Sequence, residues 1–234
     1  MNRCTAPIAM LLIASALWGC ASAPKSRSPA PLSQDSARAE LDRLGEHPVA
    51  AARPIVILNG YRSPAIFARS LRTDLIGAIS HRSDDVLLVA YPFTGEIEEA
   101  AAEVVRRVNE RWPSSDPGST VEVDVVGISM GGLVARWAAL TPEQRRTARP
   151  DSSDLGAPRL RIARLFTFAT PHQGARLAFM GLSGAARDMR PGSPFLRALD
   201  AADGNRPYPL ICYAHLDDSI VGATRAAPPG MVPI

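Results

Sequence analysis

The run Gly127-Ile128-Ser129-Met130-Gly131 sets a serine between two glycines in the pattern G-x-S-x-G. A serine hydroxyl is a weak nucleophile until the backbone displays it beside a base and donors for developing negative charge. The glycines predict that display: where a strand turns sharply into a helix, larger side chains at 127 or 131 would collide with the neighbouring elements. Ser129 is therefore the candidate nucleophile for acyl transfer, with Gly127 and Gly131 forming its elbow. Three fixed residues can coincide by chance, so the flanks decide. Val121 to Val126 alternates apolar and polar residues like a strand entering a core, and Met130 to Leu140 reads as a helix that Gly132 lets pack closely.

Acyl transfer also needs an oxyanion hole, a base, and a group that orients the base. Four further segments bear on these needs. Ile55-Val56-Ile57-Leu58 is an apolar run leading into Asn59-Gly60-Tyr61. Phe166-Thr167-Phe168-Ala169 leads into Thr170-Pro171-His172-Gln173-Gly174. Arg187 to Leu196 contains Asp188 and a Pro191-Gly192-Ser193-Pro194 stretch, and Tyr213 to Val221 contains the pair Asp217-Asp218.

Across these segments, from about Pro54 to Val221, the chain resembles the α/β-hydrolase lipases and esterases of bacteria, including triacylglycerol lipase-like and GPI inositol-deacylase-like members. The resemblance implies a mostly parallel sheet flanked by helices, with its last core strand incomplete, and a serine hydrolase of carboxylic esters that needs no cofactor. It implies that the backbone N–H groups of Tyr61 and Met130 hold the oxyanion, with Asn59 in place of the usual His of that loop. Asp218 matches the register of the catalytic acid, and Asp217 lies one position off. The partner it implies is an ester or lipid substrate.

The base is the departure. The family's order is Ser, then acid, then His, and no histidine follows Asp218. The ending Pro228-Pro229-Gly230-Met231-Val232-Pro233-Ile234 reads as entry into a last core strand whose following loop should carry that His, so the expectation is a shortened chain. His172 is the best substitute base or pocket residue, because its loop follows the strand beside that of the nucleophile. In relatives, however, this histidine coexists with a separate base, so its usual role there is structural or at the pocket wall. His215 reads as a strand-end hydrogen-bonding residue, and His81 and His47 as surface groups. Loss of the base can lower kcat by about 10⁶. An ester hydrolase and a degenerate hydrolase fold without activity are thus both expected outcomes.

The 234 residues suffice for one domain with a sizeable core, and 46% apolar with 21% charged residues is the balance of an ordinary globular chain. A formal charge of +3 spread along the sequence, without a basic stripe interleaved with aromatics, gives no support to nucleic-acid binding. Histidines and acids lack metal-ligand spacing, so no metal site is expected.

Arg3, the apolar stretch from Ala6 to Trp18, and Leu17-Trp18-Gly19-Cys20 resemble a bacterial lipoprotein signal, with residues 1–19 removed and Cys20 lipidated. Trp18 is bulkier than that pattern prefers. An ordinary secretory signal is the main competitor, and a membrane span, which needs about 20 apolar residues, is a weaker one. The resemblance implies membrane attachment through the lipid in a bacterial envelope, facing the periplasm, with Ala21 pointing to the outer membrane. Residues 20–50 read as a tether rich in Ala, Ser and Pro with a short helix near Ala37 to Leu44, and 51–234 as the catalytic domain. Cys4 would leave with the signal, and Cys212 reads as a small buried hydrophobe.

The elements that must position these residues alternate. Strands are predicted at Pro54–Leu58, Asp85–Ala90, Val121–Val126, Leu165–Ala169 and Pro209–Ala214. Helices are predicted at Pro64–Ile79, Ile97–Trp112 and Met130–Leu140, with short helical patches before the last strand. Repeated strand–helix–strand units argue a parallel sheet covered on both faces.

Overall fold

The computed structural model describes residues 34–61, 65–79, 83–91, 94–152, 156–214 and 220–234. The signal segment, Cys20, His81, His215, Asp217 and Asp218 lie outside them.

Five strands form one parallel sheet: β1 (Ile55–Leu58), β2 (Val86–Val89), β3 (Val123–Ile128), β4 (Ile162–Phe168) and β5 (Leu210–Tyr213). They are ordered β2-β1-β3-β4-β5, and every adjacent pair is parallel. The strands are short and rich in Val, Ile and Leu, as strands buried on both faces are. Side chains alternate across the sheet. Val56 and Leu58 of β1 enter one apolar cluster, and Ile57 enters the other.

On the larger side, α3 (Ile97–Arg111) and α4 (Met130–Ala139) cover the sheet. Ile97, Ala100, Ala101, Val104, Val105 and Val108 form the buried stripe of α3, at the helical spacing the sequence predicts. α4 is buried along almost its whole length, because it is sandwiched between α3 and the sheet. On the opposite face, α2 (Ile66–Ala78) closes the smaller cluster of Ile57, Ala68, Ile79, Val86 and Val126. α1 (Gln34–Glu46) packs on α2, and Val49 N–H bonds the Ala78 carbonyl at 3.0 Å.

Three differences from the sequence reading have physical causes. β4 starts at Ile162, not Leu165, because Arg164 is held against Asp124 of β3 through Nη2 to Oδ2 at 2.6 Å and can occupy a strand position. β3 starts at Val123, where the register with β4 shifts. An unforeseen helix, α5 (Pro142–Ala148), begins at Thr141-Pro142-Glu143-Gln144 with a full capping box. That box is a sequence signature for a helix start. α6 (Gly184–Asp188) and α7 (Pro194–Ala202) follow, capped by the Ser183 and Ser193 side chains.

Beyond β5, Ile234 N–H bonds the Cys212 carbonyl at 2.8 Å and its carbonyl accepts Ala214 N–H at 3.0 Å. This is the exchange a parallel neighbour makes around Tyr213.

Candidate active site

Ser129 stands between the end of β3 and the first residue of α4, at φ 52° and ψ −125°. This backbone region is costly for a residue with a Cβ. The surroundings hold it there. Ser129 N–H bonds the Phe168 carbonyl at 2.8 Å, and Gly132 N–H returns to the Ser129 carbonyl at 3.2 Å.

The glycines are required by space. A Cβ on Gly127 would lie 2.6 Å from the backbone of Gly132, and one on Gly131 would lie 2.4 Å from the Leu58 carbonyl oxygen. Gly132 has its own neighbour, since a Cβ there would meet Thr170 Oγ1 at 2.4 Å. The elbow is therefore wedged between β1 and the loop after β4.

Met130 opens α4, where helix N–H groups lack partners within the helix. The loop carrying Tyr61 leaves β1 beside it, because Leu58 pairs with Gly127 across the sheet. Tyr91 fixes this loop: its buried hydroxyl donates to the Asn59 carbonyl at 2.5 Å, and Asn59 N–H bonds the Val89 carbonyl at 3.1 Å. Burial raises the Tyr91 hydroxyl far above its usual range, so it remains a donor. On the other side, Tyr61 Oη and Ser183 Oγ hydrogen-bond at 2.7 Å.

Gly60, Tyr61 and Ser129 border a cavity of about 490 Å³ whose other walls are mainly aliphatic, among them Leu177, Met180, Met189 and Val221. Apolar side chains of its wall are open to solvent, with Met180 81% and Ile220 53% exposed. A larger open groove of about 670 Å³ runs between Tyr91 and Glu99, Glu103 and Arg106 of α3, away from Ser129. The candidate nucleophile Ser129 lines the smaller cavity.

His172 does not reach this cavity, although its neighbour Pro171 does. It is fully buried, with Nδ1 3.2 Å from Arg136 Nη1 and Nε2 3.1 Å from Thr167 Oγ1. Guanidinium nitrogens only donate, so Nδ1 accepts and Nε2 carries the proton to Thr167. Burial, with Arg136 and then Arg206 nearby, pushes its pKa well below the usual histidine value. A neutral ring with both nitrogens engaged has neither a free lone pair nor an accessible position. The substitute-base and pocket roles expected of His172 do not fit this geometry.

Arg136 was not singled out by sequence reasoning, yet it organises this region from inside α4. Its Nε meets Asp203 Oδ2 at 2.7 Å and its Nη2 meets Asp200 Oδ1 at 2.8 Å, both acids being on or beside α7. Desolvation opposes the charge, but the two carboxylates outweigh it and raise the pKa of Arg136. The sequence clue was a lone Arg in an otherwise apolar helix.

The fold also gathers Glu96, Glu98 and Asp188, each with a possible ligand atom within 4.8 Å of the others. Positions nearly a hundred residues apart gave no spacing signal for this cluster. Arg149 Nη1 lies 2.7 Å from Glu98 Oε1 and 2.9 Å from Asp188 Oδ2, so a guanidinium supplies positive charge there. Burial dominates the shift of Glu98, pushing it up to about 7, and also raises Asp188.

Neither a family model nor a curated protein sequence matches the chain. Its structure is similar to that of phospholipase PlaB from Legionella pneumophila, with a TM-score of 0.52 and 10% identity over 75% of this chain and 46% of that one. PlaB in complex with thio-NAD gives 0.51, 12%, 75% and 44%. The mature lipase BlEst2 of Bacillus licheniformis gives 0.49, 16%, 81% and 84%. The chain spans less than half the length of PlaB. Together with the parallel sheet and the strand–turn–helix at Ser129, this likeness gives the chain the α/β-hydrolase fold.

Proposed function

We propose that the protein is a serine hydrolase of carboxylic esters, of the lipase or esterase kind, acting through an acyl-enzyme on Ser129. One observation carries the reading: Ser129 sits at φ 52° between Gly127 and Gly131, positions with no room for a Cβ, at the edge of an aliphatic cavity. Strain of this kind persists only where surroundings enforce it, and it clusters at functional sites. The aliphatic walls suit the acyl chain of an ester or lipid.

In the proposed reaction, Ser129 Oγ attacks the ester carbonyl while its proton passes to a base. The carbonyl oxygen takes up the negative charge between the N–H groups of Tyr61 and Met130. Collapse expels the alcohol, which takes the proton from the base, and water then releases the acid by the same steps in reverse. Asp218 is the proposed orienting acid. Among the described residues neither histidine serves as base, since His172 is locked to Arg136 and Thr167 and His47 is exposed after α1.

The engagement of His172 favours a second reading, a hydrolase fold without turnover. A fluorophosphonate probe separates the two. Rapid labelling that disappears in Ser129→Ala, with turnover of a short-chain p-nitrophenyl ester, is the expected result. A folded protein that stays unlabelled would sink the enzyme reading for this chain.

The proposal includes attachment to a bacterial envelope membrane, facing the periplasm and on the outer membrane, through lipid on Cys20. Support comes from Arg3, the apolar run Ala6 to Trp18 and Leu17-Trp18-Gly19-Cys20. Incorporation of labelled palmitate that is lost in Cys20→Ala tests it, and equal labelling of both proteins would reject it.

A further inference from the structure

The Ser129 carbonyl accepts a hydrogen bond from the Thr170 hydroxyl at 2.8 Å, in addition to the one from Gly132 N–H at 3.2 Å. That carbonyl belongs to the peptide joining Ser129 to Met130. A trans peptide is planar, so its C=O and N–H point in opposite directions and fixing one fixes the other. A hydrogen bond at the oxygen also polarises the group and strengthens the N–H as a donor.

Thr170 is itself held on every side. It is fully buried, its side chain fills the space over Gly132, and its carbonyl accepts the backbone N–H of His172 at 2.8 Å. The His172 ring is tied to Arg136 of α4, the helix that starts at Met130. The Thr170-Pro171-His172 run thus divides its work. His172 anchors to the middle of α4, Pro171 faces the cavity, and Thr170 grips the elbow.

We propose that Thr170 is a positioning residue that aims and polarises the Met130 N–H toward the oxyanion; the inference rests on Ser129 being the nucleophile. A hydroxyl is needed, and a methyl group of equal size cannot substitute.

The test compares Thr170→Val, which keeps the shape, with Thr170→Ser, which keeps the hydroxyl. In Thr170→Val the amide ¹⁵N resonance of Met130 should move upfield, while Thr170→Ser should remain close to the parent protein. Fluorophosphonate labelling of Ser129 should slow by about 10–100-fold in the Val variant, less than the ~10²–10³ for outright loss of a donor. It should recover in the Ser variant, with KM for a short-chain p-nitrophenyl ester unchanged. If Thr170→Val does not fold, Thr170→Ala removes the hydroxyl without adding bulk. An unmoved Met130 amide, or equal losses in Thr170→Val and Thr170→Ser, would overturn the role. Were the parent protein itself unlabelled, the nucleophile reading would fail, while the Met130 amide would still decide whether Thr170 aims that peptide.

Discussion

Ser129 and Ala169 leave neighbouring strands at the same level of the sheet, and both do so at positive φ, 52° and 48°. Their preceding residues, Ile128 and Phe168, are paired. Ser129 N–H bonds the Phe168 carbonyl at 2.8 Å, and Ala169 N–H bonds the Tyr213 carbonyl at 3.1 Å. Each chain is therefore still tied to its neighbour in the sheet as it turns away. Two side-chain-bearing residues sit where glycine would be easier, one of them carrying the hydroxyl the site requires.

Replacing Ser129 by Gly should stabilise the fold. Strain at such a position is worth about 1–3 kcal/mol, and glycine loses about 0.5–1 kcal/mol through chain entropy, leaving a gain of about 1 kcal/mol. Ser129→Ala keeps the Cβ and should show no such gain. Urea midpoints of the three proteins check this, and equal midpoints would argue against strain at the elbow.

Gly131→Ala and Gly127→Ala should both be strongly destabilised. Overpacking costs about 1–3 kcal/mol where side chains can yield. Here the obstacle is backbone, the Leu58 carbonyl for one and Gly132 for the other, so the loss should reach or pass the top of that range. Gly45→Ala, in α1 with nothing within 4 Å of the added carbon, is the control and should lose no stability, gaining up to about 1 kcal/mol.

Stability should depend on His172 as the pH falls. Its folded pKa is depressed well below that of the unfolded chain, so below about pH 6.5 the unfolded state takes up a proton that the folded state refuses. Stability is then lost at up to about 1.4 kcal/mol per pH unit. Glu98, lifted to about 7 by burial, acts in the opposite sense between about pH 7 and 4.5. The difference between the parent protein and His172→Gln isolates the imidazole. Denaturation curves at pH 8, 6.5 and 5 should converge for the two proteins toward low pH.

Asp203→Ala should cost about 3–5 kcal/mol, since it strips a partner from the fully buried Arg136 guanidinium. Glu110→Ala, which removes a surface partner of Arg106, should cost under about 1 kcal/mol. Similar losses for both, measured by thermal or urea unfolding, would contradict the buried network.

Much of this architecture is legible in the sequence because local patterns dictate it. The Val- and Ile-rich runs become β1, β2 and β3, and the apolar stripe from Ile97 to Val108 becomes the buried face of α3. Gly127, Ser129 and Gly131 form the expected turn, since the steric demand that defines the motif is confined to a few residues. What escapes is long-range pairing. Arg136 meets Asp200 and Asp203, Arg149 meets Glu98 and Asp188, and Tyr61 meets Ser183 only once the chain has folded. The interior place of His172 follows from Arg136 in the same way. α5 is a different omission, because its Thr141 and Gln144 box is local and can be read directly.

The order β2-β1-β3-β4-β5 also ranks how readily parts of the molecule breathe. β3 is clamped by ladders on both sides, whereas among the described residues β2 pairs with β1 alone, and α1 rests on α2. Opening of the α1, α2 and β2 flank should leave the ladder between β3 and β4 closed, and amide protection should rise from that flank toward Ser129. The serine turn, rooted in strands paired on both sides, should therefore keep its shape when that edge opens.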